Sequence, residues 1–68
     1  MISWNEEGGA TRTEIAALED ISAAGACLEL PSTVGVPDRF DLMIASETHA
    51  RVCRVAWKDD TRVGVTFR

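Results

Sequence analysis

The sequence predicts an all-β domain, a small antiparallel β-barrel of five to six strands. Three observations carry that expectation. Arg51 to Trp57 alternates strictly, with Cys53, Val55 and Trp57 on one face and Val52, Arg54 and Ala56 on the other, which is the period of a half-buried strand. Further alternating runs recur at roughly 8–12 residues with turn residues between them, the spacing of small barrels and sandwiches. Closing such a sheet removes the exposed edges that a short all-β domain must otherwise manage.

Ile2-Ser3-Trp4 reads as a short first strand, and Asn5-Glu6-Glu7-Gly8-Gly9 as the hairpin loop that follows it. Two glycines permit positive φ and the charges suit solvent. From Thr11 to Gly25 the local signals divide. Thr11 and Glu14 have capping-box spacing, Ile15, Leu18 and Ile21 recur every three residues, and alanines at 16, 17, 23 and 24 favour helix. The strand alternative places Glu14, Ala16 and Leu18 on one face and ends at Asp20. Everything downstream is β in character, so strand is the expectation here.

Ala26 to Leu30 alternates, with Ala26, Leu28 and Leu30 inward and Cys27 and Glu29 outward. Pro31 to Asp38 is a loop, because its prolines cannot donate to a ladder and Gly35 is a breaker. Arg39 to Ile44 points Phe40, Leu42 and Ile44 inward. Lys58-Asp59-Asp60-Thr61 turns the chain into a last strand with Val63, Val65 and Phe67 inward. Gly64 sits at an outward position, where a glycine marks a bulge or a close approach. The expected core is Leu18, Ala26, Leu28, Leu30, Phe40, Leu42, Ile44, Cys53, Val55, Trp57, Val63, Val65 and Phe67. Trp4 is left open between covering the core and meeting a partner. Val34, Val36 and Met43 form a candidate exposed apolar patch.

At 68 residues there is room for one domain, residues 1–68, and for little beyond its core. A net charge of −4, with the seven basic residues scattered, argues against DNA or RNA and against an anionic membrane surface. No run approaches a membrane span or a secretory leader, so cytoplasm is the default expectation. Cys27 and Cys53 point to opposite faces and read as free thiols. Two cysteines and His49 cannot complete a zinc site, and no nucleophile–base pair or phosphate loop marks an enzyme.

The segment Asp20-Ile21-Ser22-Ala23-Ala24-Gly25 joins a carboxylate, a hydroxyl and a glycine in one turn ahead of an alternating strand. It resembles the D-x-S-x-x-G signature of PilZ domains, small bacterial β-barrels that receive cyclic di-GMP. Cys53-Arg54-Val55-Ala56-Trp57 followed by Val63-Gly64-Val65-Thr66-Phe67 resembles that family's closing hairpin, and Pro37 to Leu42 its intervening strand. The resemblance implies a barrel whose strand runs into the turn, and a nucleotide site that includes Asp20, Ser22 and Gly25. In the family an upstream R-x-x-x-R element grips guanine and phosphate, as a planar guanidinium can. No such spacing occurs in these 68 residues. Arg12 is the sole arginine before the turn, either a lone phosphate contact or a solvated side chain. The pair is either lost or supplied from a segment preceding Met1 or from a neighbouring chain. Asp20 and Ser22 are contacts to the ligand or simply caps of their own turn, and Gly25 serves backbone geometry or ligand approach.

The functional expectation is therefore a non-enzymatic interaction module of cyclic di-GMP signalling, degenerate in its nucleotide grip. It would act on a protein partner or on a second copy, with no cofactor beyond cyclic di-GMP as a ligand. The alternative is a genuine cyclic di-GMP receptor.

Overall fold

A computed structural model describes residues 1–68. It contains seven strands: β1 (Ile2–Asn5), β2 (Thr11–Glu14), β3 (Ala17–Ile21), β4 (Gly25–Glu29), β5 (Arg39–Leu42), β6 (Arg51–Lys58) and β7 (Arg62–Phe67). All pairings are antiparallel, in one sheet of order β2-β1-β5-β6-β7-β4-β3. The all-β expectation holds, and residues 13–24 hold no helix. The helical period of Ile15, Leu18 and Ile21 yields to ladder pairing with β4, which uses backbone groups that a lone helix would satisfy internally. Seven strands replace the expected five to six because the segment after the first hairpin is broken at Ile15 and Ala16 into β2 and β3.

That break shapes the sheet. β2 and β3 are its two edges, and no ladder joins them. Laid flat, seven strands would hold the edges about 29 Å apart. Three peptide steps from Glu14 to Ala17 span at most about 10 Å. The sheet must curl until its margins meet at the Ile15–Ala16 link, giving a barrel joined at its seam by the chain itself. Ala16 packs against the core there, while Ile15 remains exposed. The β1–β2 hairpin turns through Gly8 and Gly9 at φ +93° and +91°, angles that L side chains adopt at a cost.

The interior is filled by Ile2, Leu28, Leu30, Val36, Phe40, Leu42, Cys53, Val63 and Val65. Ala26, Ile44, Val55 and Phe67 pack partly against them, as does Trp4, which therefore covers the core. Three expectations need correction. Val36 is buried, because the 31–38 loop folds back across the barrel end: Thr33 N–H donates to the Asp60 carbonyl at 2.9 Å, and Val36 N–H to the Thr33 carbonyl at 3.1 Å. Of the imagined patch only Val34 is largely exposed; Met43 is half-buried. Leu18 faces inward opposite Leu28 but lies on the edge strand, so it is 42% exposed.

Trp57 is the third. Val55 pairs with Val65, but Trp57 pairs with Gly64, so Ala56 is an extra residue in β6. One extra residue inverts every side chain beyond it. Trp57 accordingly leaves the core row of Cys53 and Val55 for the outer wall. A second bulge at Glu19 in β3, between the pairs Leu18–Leu28 and Asp20–Cys27, does the same to Asp20.

Cys27 and Cys53 are free, half-buried and buried respectively. Burial, with Asp41 adding to it and Arg51 opposing, pushes the Cys53 thiol up to about 11. Its ordinary value is 9.0, so folding favours the protonated thiol. The resulting stability is complete below pH 9 and falls as pH rises from 9 toward 11. Melts between pH 8 and 11 should show this decline, and Cys53→Val should flatten it. A variant with an unchanged alkaline slope would show that another group is responsible.

Candidate functional site

The turn joining β3 to β4 is built from its own polar atoms. Asp20 Oδ1 accepts the Ile21 N–H at 2.9 Å. Ser22 N–H donates to the Gly25 carbonyl at 2.8 Å. Ser22 Oγ accepts the Ala24 N–H at 3.3 Å and donates to the Gly25 carbonyl at 3.4 Å. Phe67 N–H donates to the Ala24 carbonyl at 2.9 Å and ties the turn to β7. These are the local bonds that Asp and Ser make when they hold a turn. Both side chains are exposed, and each carries oxygen lone pairs beyond those bonds.

Gly25 has no positive φ. Its need is spatial, because a Cβ built there would run into the Val65 carbonyl oxygen on β7. The glycine therefore lets β4 approach β7. Asp20, Ser22 and Gly25, with Ile21, Ala26 and Cys27, line a shallow depression of about 170 Å³. That is below the roughly 300–1,000 Å³ of small-molecule pockets, so a dinucleotide would have to lie across the wall.

The charges at the turn are predominantly acidic. The Glu19 bulge sets its carboxylate beside Cys27, whose thiol donates to Oε1 at 3.7 Å. Burial and Glu19 together hold the Cys27 thiol above its ordinary value. Arg62 Nε lies 4.0 Å from the same carboxylate. Arg12 is not part of this group. It stands on β2 opposite Trp4, its guanidinium 3.2 Å from Glu6 and 4.0 Å from Glu14. There it lines a separate depression of about 340 Å³ with Trp4, Val34 and Pro37. The structure thus brings three of the four sequence-derived residues together and leaves Arg12 elsewhere.

Two outer rows were not foreseen from the sequence. One runs Trp57, Gly64, Cys27, Asp20 across β6, β7, β4 and β3. A Cβ on Gly64 would lie within the Trp57 indole, so the glycine is the seat of that ring. The other runs Arg39, Arg54, Thr66, Gly25 across β5, β6, β7 and β4. The outward position of Gly64 was the one available signal for the first row.

The site is thus an exposed polar turn on the rim of a small antiparallel barrel, with aromatic and charged side chains along the adjoining wall. The chain belongs to the PilZ domain family, whose model matches residues 4–68. PilZ domains are the receptor and adaptor modules of cyclic di-GMP signalling. No curated protein and no solved structure matches the chain. No helix is long and apolar enough to cross a membrane.

Proposed function

We propose that the chain is a PilZ interaction module that works without catalysis in the bacterial cytoplasm, contacting a protein partner or a second copy, and that these 68 residues bind cyclic di-GMP weakly or not at all. The observation that carries this reading is the composition of the rim. Asp20, Ser22 and Gly25 form the turn, but the neighbouring charges are Glu19 and an Arg62 whose Nε lies 4.0 Å from its carboxylate, and the facing arginines Arg39 and Arg54 stand on β5 and β6, beyond β7 from Gly25. Each missing charge-assisted hydrogen bond costs about 1.5–3 kcal/mol. The absence of two weakens affinity by roughly two to four orders of magnitude.

Titration calorimetry of the domain with cyclic di-GMP is expected to give no binding heat at tens of micromolar ligand. Micromolar or tighter binding would eliminate the proposal. A second reading, a genuine receptor, is favoured by the intact and exposed turn. In it Asp20, Ser22 and Gly25 contact the nucleotide, Arg12 is at most a lone phosphate contact, and the arginine pair comes from a preceding segment or a neighbouring chain. Repeating the titration on a chain extended upstream separates the two, since binding that appears only in the longer chain selects the receptor.

A further inference from the structure

We infer that the outer wall of β5, β6 and β7 is a docking surface for an acidic protein partner. Arg39 and Arg54 stand directly opposite each other on β5 and β6. Arg68 N–H donates to the Val52 carbonyl at 3.1 Å, which continues the β6–β7 ladder and puts Arg68 across from Val52 on the same face. None of these three guanidiniums forms an ion pair. Every other cationic side chain is engaged: Arg12 with Glu6, Arg51 with Glu47, Arg62 with Glu19, and Lys58 Nζ with the Val36 carbonyl at 3.1 Å.

Facing cross-strand positions carry side chains whose Cβ atoms are about 4.5–5.5 Å apart, and like charges there destabilise the sheet. A chain of net charge −4 has carboxylates enough to relieve the pair, yet only Asp41 shares this part of the wall, and it forms no ion pair. Beside Arg54 along β6 lie Val52 and Trp57, 41% and 49% exposed. Arginine and tryptophan are among the side chains that dominate binding energy at protein interfaces, and Val52 adds apolar area beside them.

Charge and geometry select the occupant. Glu19, Asp20 and Glu29 occupy the outer wall of β3 and β4, so the wall is divided into an acidic and a cationic half. A two-fold pair of copies through the cationic half would set arginines against arginines. A head-to-tail pair would match the halves but leave one of each free, and so would propagate. On this wall a compact anion has the depression beside Arg39, about 280 Å³ and lined also by the acidic Asp41. A partner protein presenting carboxylates to Arg39 and Arg54 and apolar groups to Val52 and Trp57 satisfies all of these groups at once. This rests on the reading of the chain as a partner-contacting module.

The test is a nitrogen-15 NMR titration of the domain with a synthetic peptide of alternating glutamate and leucine, at low salt. Shifts are expected at Arg39, Val52, Arg54 and the Trp57 indole, fading with added salt and absent with the lysine–leucine counterpart. Arg39→Glu with Arg54→Glu should weaken binding about tenfold or more. Arg54→Glu alone replaces a repulsive pair by an attractive one, so its melting temperature should rise by about 2–4 °C while binding weakens. Absence of shifts on this wall, binding unchanged in the double variant, or a lower melting temperature for Arg54→Glu would overturn the proposal. The same shifts with cyclic di-GMP or inorganic phosphate would make this a small-anion site instead. Concentration-dependent sedimentation abolished by Arg54→Glu would make it a contact between copies. Calorimetry with cyclic di-GMP tests the functional reading independently, so the two can fail separately.

Discussion

Replacing Gly25 by alanine is expected to remove about 3 kcal/mol of stability, most of what the domain has. The added Cβ would meet the Val65 carbonyl oxygen, which belongs to the ladder that pairs Gly25 with Thr66 and Ala26 with Val65. Overpacking costs about 1–3 kcal/mol where side chains can adjust, and more where they cannot. Here the obstacle is the backbone of β7 at Val65 and Thr66. A domain below about 70 residues seldom exceeds 3–5 kcal/mol in total, so the melting temperature should fall by more than about 12 °C. Gly64→Ala is the internal control. Its obstacle is the half-exposed Trp57 indole, which can swing into solvent, so its loss should stay under about 1 kcal/mol. Urea denaturation of the two variants checks the contrast. Equal losses would mean that the β4–β7 approach is looser than described.

Leu28→Ala should cost about 3 kcal/mol, within the range for leucines in closed cores. Leu28 is fully enclosed, between Leu18 on β3 and Val63 on β7 in the register. Leu18→Ala removes the same atoms from the same inward row, but from a residue 42% exposed at the seam. Its cost should be about 1 kcal/mol, since less apolar surface leaves water there to begin with. Comparable midpoints for the two variants in urea would contradict an open seam beside β3.

The legible parts of this fold are those in which a strand's own pattern decides its fate. Ala26 to Leu30, Arg39 to Leu42 and Val63 to Phe67 alternate, and of the residues that alternation selects Leu28, Leu30, Phe40, Leu42, Val63 and Val65 are buried and Ala26 and Phe67 half-buried. The Asp20–Gly25 turn was readable for the same reason, as its bonds are local. The features that escaped depend on the neighbouring strand. The bulges at Glu19 and Ala56 exist only relative to β4 and β7, and each inverts the face of the residues beyond it, so Trp57 could not be placed by counting in twos. The opposition of Arg39 and Arg54 is likewise a fact of register, which no single strand encodes. Val36 was misplaced because a loop's burial follows from the tertiary path of residues 31–38.

The two-residue join at Ile15 and Ala16 has a consequence for how the barrel comes to be. In a cylinder sealed by a ladder, the last pairing must gather strands remote in sequence and bear the entropy of a large ring. Here the seam is held by the chain itself, and the ring entropy falls on the β1–β5 and β4–β7 ladders, which pair Ile2 with Leu42 and Ala26 with Val65. The cost appears afterward as an unzipped slit beside residues 17–21, whose amides should be the first to exchange with deuterium and the first foothold for unfolding.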